Sequence, residues 1–134
     1  MITRLETILN TETAYLTDGG LETSLIFHDQ VDLPNFASFV ELNSDDGRAR
    51  LANYFGKYLD AAKEQETGFV LDTVTWRANA AWGAAMGMDH AAIGKTNEDA
   101  VAFAGFRRER VHHAAVAATV EVLNSQLVSA QFVG

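Results

Sequence analysis

Two short apolar runs, Ala14–Thr17 and Phe69–Leu71, each end in an acid, and a long amphipathic segment separates them. That order constrains the fold more than any other feature of the chain. A strand that returns parallel to its predecessor needs a crossover of roughly a dozen residues or more, and the intervening stretch can hold both a helix and a loop. Residues 45 to 66 supply the helix. Leu51, Tyr54, Phe55, Tyr58, Leu59 and Ala62 recur at helical spacing, Ser44 or Asn43 is a good N-cap, and Asp45 and Asp46 suit the positive end of the helix dipole. Gly68 is expected to stop this helix before the second strand.

The same alternation continues. Residues 78 to 86 read as a short helix, in which Gly83 and Gly87 are spaced for close packing, with no membrane span around them. Thr96 followed by Asp99 reads as a capping box, after which Val101, Ala104, Arg108, Val111, Ala115, Ala118 and Val122 keep a 3-4 spacing down a long helix. Leu127–Gly134 reads as a third strand, and residues 2 to 10 as a short helix carrying Ile2, Leu5, Ile8 and Leu9 on one face. The expected class is therefore α/β, with parallel βαβ units joined by right-handed crossovers. Three strands cannot close a barrel and would leave apolar edges, so the order reads as part of a larger parallel fold.

Chemistry concentrates where the strands end. Leu16 to Thr23, Leu-Thr-Asp-Gly-Gly-Leu-Glu-Thr, breaks the first apolar run with an acid and two glycines. Gly19 and Gly20 allow positive φ and leave backbone N–H groups uncovered for a carboxylate or phosphate, while Asp18 offers a fixed negative charge. An anion site beside a cation site suits an amino acid zwitterion. The competing reading is a tight turn in which Asp18 caps backbone N–H groups. After the second strand, if Val70 and Asp72 share one face, Thr73 and Thr75 point their hydroxyls the other way, although threonine pairs also suit a strand on propensity alone. Pro34, the only proline, marks a loop at Asp32–Asn35.

Composition excludes several classes. The chain has 134 residues, the length of one domain, with 48% apolar and 21% charged residues, which is ordinary for a globular protein. Ten basic against eighteen acidic residues give a net charge of -8, which disfavours nucleic acid and anionic membrane and favours cationic or zwitterionic small molecules. No apolar run approaches the roughly 20 residues a bilayer requires, and Met-Ile-Thr-Arg-Leu-Glu lacks the layout of a secretory signal, so a cytoplasmic location is expected. There is no cysteine, so the chain supplies no thiolate to a metal or an acyl intermediate. His112 and His113 would point about 100° apart on a helix, and His28 and His90 have no ligand-spaced partners. Oligomeric state is not fixed by any of these features.

Asp-Gly-Gly after the first strand, Gly-Phe-Val-Leu at the second, and Thr-Val-Thr-Trp-Arg-Ala-Asn behind it together resemble the homocysteine S-methyltransferase family, as do Asp32-Leu33-Pro34-Asn35-Phe36-Ala37 and Trp82-Gly83. The resemblance runs from about Tyr15 to the C-terminus. It implies the N-terminal part of a homocysteine-binding (β/α)8 TIM barrel of about 250 residues or more, truncated after about the third strand. It also implies methyl transfer from a donor such as S-methylmethionine, S-adenosylmethionine or betaine to the thiol of homocysteine. The family's zinc is held by three cysteines from late strands, which the resemblance places beyond Gly134, so none is expected to be bound by residues of this chain. Carried over by position, Asp18 would meet the homocysteine amino group, Gly19 and Gly20 would lie near the substrate, and Thr73 and Thr75 would hold its amino acid part. Two departures stand out: Glu22 occupies a position where many members have a small residue, and Trp76-Arg77 replaces the commoner Tyr-Gln or Phe-Tyr. The donor is therefore not implied, although Arg77 could read a donor carboxylate. A free thiol, with a pKa of about 8.5, is mostly protonated at neutral pH, so the family needs its metal to make the nucleophile. The alternatives are a noncatalytic amino-acid-binding or structural fragment, and a different α/β enzyme using Asp18 as a general base.

Overall fold

The computed structural model of the chain describes Glu12, residues 14 to 109 and Val116–Ala117. Three short strands, β1 (Tyr15–Thr17), β2 (Gly68–Val70) and β3 (Val116–Ala117), lie side by side in the order β1-β2-β3, and both pairings are parallel. Tyr15 stands opposite Gly68 and Thr17 opposite Val70, so Asp18 and Leu71 leave the sheet at the same end. Helices dominate the rest: α1 (Leu21–Thr23, running on into a π-helical turn at Ser24–His28), α2 (Asp45–Glu64), α3 (Ala80–Ala85) and α4 (His90–Glu109). Two 3-10 segments, Pro34–Phe36 and Ser38–Asn43, carry the chain from α1 to α2. The class is mixed α/β with a small parallel sheet.

The crossover helix α2 forms where its sequence pattern places it. Ser44 accepts a hydrogen bond at its Oγ from the Gly47 N–H at 3.0 Å, and Asp45 and Asp46 occupy the first turn. Its apolar stripe, Leu51, Tyr54, Phe55, Leu59 and Ala62, joins Phe69 and Leu71 of the second strand region and Phe39 and Leu42 of the 3-10 segment in one core. Each large side chain so buried contributes about 1.5–3 kcal/mol. Gly47 sits so close to the 3-10 segment that a Cβ there would lie 2.1 Å from the Glu41 carbonyl oxygen. Glu41 is itself buried and pairs with Arg50 at 2.6 Å, which fastens the segment to the next turn of the helix.

The helix ends differently from expectation. Glu66, with φ 51°, reverses the chain in the left-handed region, while its N–H bonds the Lys63 carbonyl and the Thr67 N–H bonds that of Ala62. This is the hydrogen-bond pattern of a Schellman turn, made without a glycine. Gly68 is not the stop; it lies inside β2, where a Cβ would meet the Tyr15 ring at 2.2 Å.

The second half shows two more corrections. α4 begins already at His90, because Asp89 accepts the Ala92 N–H at 2.8 Å, and the expected capping box at Thr96 does not form. Thr96 instead donates to the Ala92 carbonyl at 2.9 Å inside the helix, and Asp99 pairs with Lys95. Val116 and Ala117, expected on the same long helix, pair with Phe69 and Val70 as β3: pairing against a buried strand overrides a helical spacing in the sequence. Gly83 allows α3 to touch α4, since a Cβ there would lie 2.6 Å from Ile93 Cγ1. The third strand expected at Leu127–Gly134, the helix at residues 2 to 10, and His112 and His113 all lie outside the described residues. Among the described residues no helix is long and apolar enough to cross a membrane.

Two glycines of α2 should respond in opposite ways to alanine. Gly47→Ala meets backbone atoms that cannot rotate away, so a loss of about 1–3 kcal/mol is expected. Gly56 has nothing within 4 Å of its would-be Cβ, so Gly56→Ala should gain about 0.5–1 kcal/mol from helix propensity. Denaturant midpoints of the two variants against the parent decide the matter; equal shifts would contradict the packing described.

Candidate functional site

Beyond the C-terminal ends of β1 and β2 lies a cleft of about 240 Å³, lined by Asp18, Gly19, Gly20, Leu21, Glu22, Phe55, Asp72, Thr73, Val74 and Trp76. The parallel register creates it, because both strands deliver their following residues to one side of the sheet. Of the residues singled out by sequence, Asp18, Gly19, Gly20 and Thr73 meet in this cleft. Thr75 does not line it, but its Oγ1 lies 2.7 Å from Thr73 Oγ1, so the two hydroxyls form one hydrogen-bonded unit. The strand ends at Val70, and the loop after it is turned by a bond from the Thr75 N–H to the Thr73 carbonyl at 2.8 Å.

The glycine turn uses one of its two glycines for left-handed backbone. Gly20 has φ 78° and ψ 41°, and its carbonyl accepts the Ser24 N–H at 2.9 Å to open α1. The Asp18 carboxylate is held from α2: Tyr54 Oη donates to its Oδ2 at 2.9 Å. One helical turn later Tyr58 Oη donates to the Gly19 carbonyl at 3.0 Å. Among the described residues the Asp18 carboxylate is thus bonded by a tyrosine hydroxyl and by none of the backbone N–H groups that the simple turn alternative would have it cap. Burial first, and then the hydroxyl contacts with Tyr58 and Asp18, push the Tyr54 ionisation well above the ordinary tyrosine range. It therefore stays a proton donor to Asp18 at physiological pH.

The cleft is acidic. Glu22 accepts a hydrogen bond from the buried Ser38 hydroxyl at 2.7 Å, which tethers α1 to the 3-10 segment. The Asp72 carboxyl is raised above the usual carboxylate range, chiefly by desolvation and secondly by the Asp18 charge. Its side chain is nonetheless exposed, so solvent screens much of that repulsion. Asp18, Glu22 and Asp72 together favour a ligand's cationic group, and the backbone at Gly19 and Gly20 lies beside them. Sequence reasoning missed Tyr54 and Tyr58, which counted as core positions on α2. The available signal was two tyrosines one turn apart on an apolar stripe, since a buried tyrosine needs a partner for its hydroxyl.

Two neighbouring features complete the picture. A second cavity of about 390 Å³ is lined by Ser24, His28, Asp29, Asn53, Tyr54, Lys57, Tyr58 and Ala61, so the two tyrosines line this cavity while their hydroxyls bond Asp18 and Gly19 of the cleft. On the other side, the Arg77 guanidinium lies 4.1 Å from the centroid of the Trp76 ring and 3.9 Å from that of Trp82. Among the described residues no three His, Cys, Asp or Glu side chains are grouped to hold a metal ion. No protein-family model, curated protein or solved structure matches the chain.

The Asp72 carboxyl supplies a pH test. Because its folded-state pKa is raised, its protonated form favours the fold below the ordinary carboxylate pKa, and that contribution is lost as pH rises through the folded value. Asp72→Asn should therefore raise Tm at pH 7 by a small amount and leave it unchanged near pH 3, below about 3.9, the usual aspartate value. A gain that persists undiminished at acid pH would show that the charge is not its cause.

Proposed function

We propose that the cleft binds homocysteine and that the chain is the substrate-recognising part of a homocysteine S-methyltransferase. A methyl group moves from a donor such as S-methylmethionine, S-adenosylmethionine or betaine to the homocysteine sulfur. The sulfur gains the carbon–sulfur bond, the donor's bond to the methyl breaks, and the thiol proton leaves. The supporting observation is the Asp18 carboxylate, fixed by Tyr54 and set beside the Gly19–Gly20 turn and Thr73. In this reading the three parallel strands are the first part of a (β/α)8 barrel, a fold whose active face lies at the C-terminal strand ends.

Each residue then has a task in holding the amino acid. Asp18 pairs with the ammonium, the uncovered backbone at Gly19 and Gly20 faces the carboxylate, and the Thr73–Thr75 hydroxyl pair supports the same end of the substrate. The family's zinc, when bound, lowers the thiol pKa. The residues present do not fit that metal, since the chain has no cysteine and the described carboxylates and histidines form no ligand group. These residues bind and orient, and thiol activation is not among their tasks.

Calorimetric titration with homocysteine tests the reading. Asp18→Ala removes a charge-assisted hydrogen bond of about 1.5–3 kcal/mol and should weaken binding by about tenfold to a hundredfold. Where methionine formation is measured, kcat/KM should fall by a similar factor with metal content unchanged, because Asp18 is not a proposed ligand. A variant that binds homocysteine as tightly as the parent would remove Asp18 from the site.

A further inference from the structure

Among the described residues, the loop after β2 presents a cation without a counterion. Three described basic side chains pair with acids: Arg48 with Asp45, Arg50 with Glu41 and Lys95 with Asp99. Arg77 instead lies against two indole rings, at 4.1 Å and 3.9 Å. Among the described residues no carboxylate or carbonyl accepts from its guanidinium, and Nε is buried with no hydrogen-bond partner. Asn79, which caps α3 by accepting the Trp82 N–H at 3.2 Å, sets Trp82 in place. Contact with ring faces restrains a guanidinium without using its Nη hydrogens, which remain a planar fork of donors. A guanidinium restrained in this way loses less freedom on meeting an anion than a mobile surface arginine does.

We propose that Arg77, clamped by Trp76 and Trp82, binds the carboxylate of a small organic acid at the rim of the Asp18 cleft. Trp76 links the two places: it lines the cleft and is more than half exposed, whereas Arg77 lies against its ring and outside the lining. The planar, two-oxygen carboxylate matches the fork. A phosphate dianion also matches a fork, but Asp18, Glu22 and Asp72 nearby repel two charges more than one. The site gives a geometric basis to the carboxylate role that the sequence left open for Arg77, and its test does not depend on which ligand Asp18 takes.

Trp76 and Trp82 are the only two tryptophans in the chain, so tryptophan emission reports on this stack alone. Titration with propionate at constant ionic strength should change that emission saturably, and inorganic phosphate should do so at least about tenfold more weakly. Arg77→Gln should abolish the response, with circular dichroism confirming the fold. Arg77→Lys, which keeps the charge and stem but not the fork, should weaken propionate by about tenfold or more and carries the test if the glutamine variant does not fold. No saturable response in the parent, a lysine variant as good as the parent, or phosphate binding as well as propionate would each overturn the assignment.

Discussion

The hydrogen bond from Tyr54 to Asp18 joins the element that builds the core to the element that builds the site. Tyr54 is buried on α2, its ring edge-on to Phe55 at 5.1 Å and tilted to Tyr58 at 5.2 Å, and its hydroxyl bonds the Asp18 carboxylate. The position of that hydroxyl is a by-product of helix placement. Burial of the stripe from Leu51 to Ala62, at about 1.5–3 kcal/mol for each large residue, outweighs a single hydrogen bond to a charged group, worth about 1.5–3 kcal/mol. The core thus sets where α2 lies, and Asp18 is oriented by whatever that placement leaves within reach. The close approach at Gly47 fixes the helix along its axis, so the same constraint reaches the site from the far end of α2.

Charge works against packing in the same region. Asp18, Glu22 and Asp72 share one cleft, and desolvation and the Asp18 charge together raise the Asp72 carboxyl. Each acid is relieved by a different device: a tyrosine hydroxyl for Asp18, the Ser38 hydroxyl for Glu22, and solvent for Asp72. Hydroxyl donors neutralise no charge, so the cleft keeps a negative field that a ligand ammonium would reduce. Such a site gives up some stability for a preference in ligand sign.

Much of this was legible in the sequence, and the failures share a cause. α2 could be read because three independent signals, the Ser44 cap, the acidic first turn and the apolar stripe, agree over twenty residues. The turn at Asp18-Gly19-Gly20 could be read because glycine permits the left-handed backbone found at Gly20. The end of α2 could not: Glu66 adopts a left-handed conformation usually left to glycine, and Gly68 serves the Tyr15 ring instead. Val116 and Ala117 fall within a stretch of helical spacing yet pair with β2, and the start of α4 depends on Asp89 and not on Thr96. In each case the deciding partner is distant in sequence or one of several competing local caps. Tyr54 and Tyr58 illustrate the same limit within the site, since periodicity reports the face a ring packs on and is silent about where its hydroxyl ends.

The loop that carries Asp72, Thr73 and Trp76 is held by its apolar members. Leu71 and Val74 are buried on either side of Asp72 and Thr73, and Ala78 is buried beyond Trp76 and Arg77. Backbone bonds close the spaces between these anchors: Thr75 to Thr73, Ala78 to Thr75 and Asn79 to Arg77, each at 2.8–2.9 Å. A loop anchored at every third or fourth residue has little freedom to re-aim the polar side chains between the anchors, so their geometry comes with folding and not with ligand binding. The Asp18 side of the cleft is fixed through α2 and the Thr73 side through these anchors, and both depend on the core beneath the sheet.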